Sequence, residues 1–187
     1  TGVWVEQQAD RSRLRMVRMS GGTAKTVAEG EGAWRQAQPR PRRSQILYQN
    51  GEGRLAIVNY GGKGMFVCET APGQVEQAMW SPDGSTVLYL HSPSEGLHTL
   101  REFSPETRQD NPVAQTSQFV TFATNRDGRV FVGASGGRAT PYVLLLLRTA
   151  GREMALCEHR ASRPALVRPL FSPDSRLVFF QSDREQH

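Results

Sequence analysis

Cysteine and lysine are scarce in this 187-residue sequence, and long apolar runs are missing altogether. The two cysteines, Cys68 and Cys157, lie too far apart to form a Cys-x-x-Cys metal or redox motif, and two residues cannot build a disulfide scaffold. They read as two buried free thiols, with pairing in an oxidising compartment as the alternative. The longest strongly apolar stretch, Tyr142 to Leu147, has six residues, whereas a membrane-crossing helix needs roughly 20. No basic start followed by an apolar run stands at Thr1. The compartment is left open, with the cytoplasm favoured and the periplasm as the alternative, and no membrane partner is expected. Capped segments with a long 3.6-residue period are absent too, which argues against a helical fold. There is no Gly-x-Ser-x-Gly elbow and no Walker loop. Gly133-Ala134-Ser135-Gly136-Gly137 joins strands rather than opening a helix, so it is no phosphate cradle.

What is present suits a globular chain: 37% apolar residues are enough for a core, and 22% charged residues argue against disorder. The net charge of +5 comes from arginine, since Lys25 and Lys63 are the only lysines, and the surplus sits in residues 1–60. Guanidinium forks suit carboxylate or phosphate partners. Arg13, Arg15 and Arg18 alternate partly with Leu14 and Met16 and read as a solvated edge face, so no nucleic-acid partner is expected. Arg40, Arg42 and Arg43 form the most concentrated positive patch and are a candidate anion site. Of the four histidines, His91, His98, His159 and His187, no two have metal-ligand spacing on one element; they read as surface or turn residues.

Internal repetition is the strongest signal. Met79-Trp80-Ser81-Pro82-Asp83-Gly84 followed by Thr86–Leu90 recurs as Leu170-Phe171-Ser172-Pro173-Asp174-Ser175 followed by Leu177–Phe180. A weaker copy runs through Asn125-Arg126-Asp127-Gly128, and a degenerate one through Arg40-Pro41-Arg42-Arg43. Successive copies are 41, 44 and 47 residues apart, the length of four short strands and their turns, which is one propeller blade. Proline presets φ, aspartate bonds its own backbone, and glycine tolerates positive φ in such a turn. The runs Gln45–Tyr48, Thr86–Leu90, Arg129–Val132 and Leu177–Phe180 after the turns are read as blade-starting strands, buried between neighbouring blades. Tyr142–Leu147 is read as a strand despite its helix-like composition.

The expected fold is therefore an all-β propeller of four-stranded blades. Residues 1–187 form one segment, divided into a partial blade 1–32, blades 33–73, 74–116 and 117–163, and a partial blade 164–187. Both ends fall within a blade, so a fragment of a larger propeller is favoured over a closed four-bladed one.

The Ser-Pro-Asp-Gly blades resemble the Tol-type periplasmic propeller repeat. A more detailed order of features runs from about Gly32 to Asp183: Arg54…Val58-Asn59, Trp80-Ser81-Pro82-Asp83-Gly84, Leu100-Arg101-Glu102 with Pro105-Glu106-Thr107, Asn125-Arg126-Asp127-Gly128 with Val132-Gly133-Ala134, and Phe171…Asp174…Phe180-Gln181-Ser182-Asp183. This order resembles the oligogalacturonate lyase family of seven-bladed propellers. The resemblance implies β-elimination on short uronides derived from pectin, aided by a manganese-type ion that acidifies the α-proton. It also makes Arg54 the counterpart of the family's catalytic arginine, for which uronate pairing is the easier role than proton abstraction. The family's metal ligands, however, are matched by Thr121 in place of a histidine, by Arg163, Leu166 and Arg168 in place of a glutamine and two histidines, and by Gln77 in place of a further histidine. Leucine offers no ligand atom and arginine repels a cation. The expectation is no metal cofactor, with an acidic saccharide held by Arg54, Arg163 and Arg168 and little or no lyase activity. The alternative is a Tol-like, non-enzymatic propeller that acts as a protein-interaction scaffold.

Overall fold

Four turns of one design divide the chain. At Arg40, Ser81, Asn125 and Ser172 the backbone N–H donates to the carbonyl five residues ahead at 2.8–2.9 Å, and the residue three ahead donates back to the carbonyl of the first. The Ser81 hydroxyl donates to Asp83 and accepts from the Thr86 N–H, and Ser172 repeats both bonds with Asp174 and Leu177. Asn125 does the accepting with its amide oxygen, from Arg129 and Val130. Gly84 needs to be glycine: its φ is +74°, and a Cβ there would lie 2.7 Å from the Pro41 carbonyl oxygen.

The computed structural model describes residues 1–116, 119–137 and 139–183, so His187 lies outside the described residues. Strands β1 (Gly2–Gln8), β2 (Arg11–Val17) and β3 (Lys25–Glu31) form a three-stranded sheet. The next sheet holds β4 (Arg35–Pro39), β5 (Gln45–Gln49), β6 (Leu55–Asn59) and β7 (Phe66–Val67). A third holds β8 (Gln74–Trp80), β9 (Val87–Ser92), β10 (His98–Phe103) and β11 (Asp110–Thr116). The fourth holds β12 (Phe119–Thr124), β13 (Val130–Ser135), β14 (Tyr142–Leu147) and β15 (Arg152–Glu158). A two-stranded ribbon, β16 (Leu170–Phe171) with β17 (Val178–Phe179), follows a single 3₁₀ turn at Pro164–Leu166. Every sheet is ordered as the chain runs, the meander of a propeller blade.

The apolar runs after the turns are the second strands of their sheets, β5, β9, β13 and β17, and not the blade-starting ones. The first strand comes before the turn and is only half apolar, as in Gln36-Ala37-Gln38 of β4, so hydrophobicity passes over it. Of these, β5 and β9 are buried on both faces, with Ile46, Leu47 and Tyr48, and Val87 through Leu90, at most 1% exposed, whereas the run at β17 is not buried as expected: Leu177 and Phe179 are 58% and 52% exposed.

Contacts gather the chain into two compact units. One comprises Thr1–Ala71, Ala78–Val87 and Phe103–Asp110; the other comprises Pro72–Gln77, Leu88–Glu102 and the residues from Asn111 onward. In the first unit Leu14, Met16, Val27, Ile46, Ala56 and Val58 surround Trp34, whose ring stacks on Tyr48 at 4.7 Å. In the second, Val132, Ala134, Val143 and Val167 pack with Phe171, Val178 and Phe180. Gly133 leaves room there for the Phe119 ring, which would meet a Cβ at 2.6 Å.

Two expectations about burial are corrected. Cys68 is buried, but Cys157 is exposed on β15, an edge strand of its sheet; neither is in a disulfide. His91 and His159 are buried rather than at the surface, and each ring donates to a backbone carbonyl. His91 Nε2 donates to the Pro72 oxygen, and His159 Nε2 donates to the Ser135 oxygen while Nδ1 accepts from the Ala161 N–H. His98 is half-buried and its Nδ1 donates to the Phe119 oxygen. Arg13 and Arg15 lie on a solvated face as expected, but β2 is the central strand of its sheet and not an edge.

Candidate functional site

The shared turn places Gln36, Gln77, Thr121 and Arg168 at one register position, four residues before each turn. This is where the sequence puts three of the five altered ligand positions. Gln77 is not available to a ligand: its amide oxygen accepts from the Phe122 N–H at 3.0 Å, and its amide nitrogen donates to the Phe122 oxygen at 2.9 Å. Gln36 and Gln38 share the same task, accepting from the Ala78 N–H at 2.7 Å and donating to the Ala78 oxygen at 2.8 Å. Both are clasps from one first strand to the next. At Thr121 the clasp is absent. The main-chain position that corresponds to Ala78 and Phe122 is Pro169, which has no N–H to give. Thr121 is 8% exposed, and its hydroxyl has no hydrogen-bond partner among the described residues.

Arg163 and Leu166 come together in a cleft of about 500 Å³, with Ser162, Val167, Gln181 and Asp183 among its walls. Asp183 closes one side, accepting from the Ser162 N–H at 2.8 Å and from the Ser162 hydroxyl. These bonds, with Arg163 nearby, hold the Asp183 carboxyl below its ordinary pKa. The cleft floor is held by Gln181, which donates to the Leu166 oxygen, and by Ser182, which donates to the His159 oxygen. Arg168 is exposed and lies outside the cleft lining, with a left-handed backbone at φ 41°.

Arg54 belongs to the other unit, where it opens β6. Asn50 holds its backbone on both sides, accepting from the Arg54 N–H and donating to the Arg54 oxygen, each at 2.9 Å. Its guanidinium is exposed, 3.9 Å from Glu52, a distance at which a solvated pair contributes little.

The patch of Arg40, Arg42 and Arg43 is not one patch. Arg42 and Arg43 are exposed, but Arg40 turns inward and is 5% exposed. Its Nε donates to the Gly84 oxygen at 2.7 Å, Nη1 to Gln45 at 2.6 Å and Nη2 to Glu106 at 2.7 Å, while the guanidinium lies 4.8 Å from the centre of the Trp80 ring. A buried cation needs this much compensation. Sequence reasoning missed it because Glu106 is 66 residues away; the only hint was an arginine where the other turns have Ser or Asn.

The residues that the sequence resemblance would place at a metal do not fit a divalent ion. Leu166 has no donor atom, Arg163 and Arg168 are cations, and both ends of the Gln77 amide are taken by Phe122. Among the described residues no three His, Cys, Asp or Glu side chains converge, and no helix is long and apolar enough to cross a membrane.

No family model matches the sequence, and no curated protein does either. Solved structures do match. An oligogalacturonate lyase in complex with manganese superposes with a TM-score of 0.83 at 20% identity, over 94% of this chain and 52% of that one. The oligogalacturonate lyase from Vibrio parahaemolyticus gives 0.83 at 23% identity, with the same coverage. TolB from Acinetobacter baumannii gives 0.68 at 17% identity, over 94% of this chain and 44% of that one. The chain thus has the β-propeller fold of these proteins and spans about half the length of the lyase structures it matches.

Proposed function

We propose that this chain is a lyase-related propeller segment that binds acidic, uronate-containing saccharides without a metal ion and without cleaving them. The observation that carries this reading is Arg163 in the wall of a cleft that also presents Ser162, Gln181 and Asp183. A guanidinium can pair with a uronate carboxylate in bidentate fashion, while the neighbouring hydroxyl, amide and carboxylate groups suit sugar hydroxyls. Arg168 and Arg54, both exposed, are the further cations assigned to carboxylates of the same ligand class. With arginine and leucine at the former ligand positions, carboxylate charge is neutralised by side chains instead of a Lewis acid, so the α-proton is not acidified enough for elimination.

Calorimetry with di- and trigalacturonate at low salt tests this. Binding is expected to weaken as salt is added and to persist in a chelator. Arg163→Ala and Arg168→Ala should each weaken it about tenfold, the size expected for a charge-assisted bond. No ultraviolet absorbance from an unsaturated product should develop. Absence of binding below the millimolar range, or unchanged affinity in both variants, would remove the reading.

One observation favours a second reading, a protein-interaction scaffold. Met154 and Leu156 are exposed on β15, at the edge of its sheet, where a partner protein could cover them.

A further inference from the structure

A second concavity, of about 330 Å³, lies in the first unit at the end of β6 opposite Arg54, and its walls are Arg43, Ser44, Asn59, Tyr60 and Glu106 over the buried Arg40 and the half-buried Gln45. We propose that it is a binding site for one neutral hexose-sized sugar, independent of the acidic-saccharide reading above.

The argument starts from Arg40. This buried cation meets Glu106, and the 2.7 Å bond to Oε1 fixes the Glu106 side chain although half of it is exposed. The other oxygen, Oε2, is an oriented acceptor. Arg40 also orients Gln45 through its Oε1, which forces the Gln45 nitrogen to act as donor, to Asn59 Oδ1 at 3.1 Å. Asn59 is thereby set with its oxygen turned to Gln45, and its nitrogen is left as a donor. One buried guanidinium thus aligns an acceptor and a donor that line the same concavity, with the Ser44 hydroxyl able to play either part.

That mixture selects the ligand. A small oxyanion meets the Glu106 carboxylate, and a small cation meets Arg40 and Arg43, so charge of either sign is opposed. A sugar hydroxyl both donates and accepts, and adjacent hydroxyls satisfy a carboxylate and an amide together. The volume is at the lower end of small-ligand pockets, which limits the occupant to about one ring. Tyr60, half-buried against the apolar cluster, supplies a wall for its C–H face.

The test is saturation-transfer NMR and calorimetry on the full 187-residue chain with methyl glycosides of glucose, galactose and mannose, and galacturonate as the charged control. At least one neutral glycoside should bind with an affinity insensitive to salt, and galacturonate should not displace it. Asn59→Ala, at an exposed strand end, should weaken binding about tenfold. Glu106→Gln should do the same. If Glu106→Gln proves unstable, Asn59→Ala and Ser44→Ala decide alone. No neutral glycoside bound below about 10 mM, or affinities unchanged in Asn59→Ala, overturns the site. Loss of binding in Arg163→Ala, with Asn59→Ala unaffected, would place any sugar in the other cleft and overturn it as well.

Discussion

The side-chain amide of Gln77 brackets the main chain of Phe122, accepting from its N–H at 3.0 Å and donating to its carbonyl at 2.9 Å. Two strands that share no ladder are joined in this way by a single side chain, and Gln36 with Gln38 does the same for Ala78.

Removing such a clasp leaves two part-buried main-chain groups without partners. Gln77→Ala should therefore cost about 1–3 kcal/mol in urea unfolding. Thr121→Val, the nearly isosteric change at the equivalent position, removes a buried hydroxyl that has no partner among the described residues. It should leave stability unchanged or raise it by about 1 kcal/mol. Equal losses for the two variants would contradict the clasp.

Breaking the Arg40–Glu106 pair from either side should destabilise the fold, by about 3 kcal/mol for Glu106→Ala, which leaves the buried guanidinium without a counter-charge. Arg40→Met should lose its bonds to Gly84 and Gln45 as well. The double variant is expected to cost less than the two single ones combined. Additive losses in a denaturant double-mutant cycle would show that the two residues act separately.

Acid should loosen the Ser81 turn. Hydrogen bonds from the Ser85 backbone and the Ser81 hydroxyl lower the Asp83 carboxyl from its ordinary value of 3.8 to about 2. A carboxylate with a lowered folded pKa contributes stability fully above about pH 4, and the contribution fades as pH falls towards 2. Asp174 is shifted in the same direction by Ser172 and the Arg176 N–H. Asp83→Asn should be less stable than the parent at pH 6, and the two should converge near pH 2. A constant difference between those limits would refute the assignment.

The two thiols should react differently. Burial raises the Cys68 thiol to about 12, whereas Cys157 is exposed. Iodoacetamide at pH 8 should label one cysteine per folded chain, which peptide mapping places at Cys157, and two after denaturation. Labelling of Cys68 in the folded protein would mean that β7 and its neighbours open readily.

Much of the fold could be read from the sequence because its signals are local. The turn residues at Arg40, Ser81, Asn125 and Ser172, and the apolar runs after them, lie within a dozen residues of one another, so spacing alone reveals four repeats of one unit. The order of strands inside the unit was harder to read. β4 and β8 carry glutamines where a strand face would ordinarily be apolar, and those glutamines are explained only by the main chain of the next sheet. The candidate site was legible in part. Arg163 and Leu166 do share a cleft, but Asp183, the carboxylate that closes it, could not have been assigned to Arg163 from sequence.

By itself, then, the sequence determined the repeating β unit and its turns, since each depends on local backbone preference alone. Only the tertiary structure decided which polar side chains are spent inside the fold. Arg40 and Arg43 are three residues apart and chemically identical, yet one is buried over Trp80 and the other is exposed. The difference arises because Gly84, Gln45 and Glu106 surround Arg40 with acceptors. A buried charge is tolerated only where partners from distant segments converge on it, and that convergence exists only once the chain has folded.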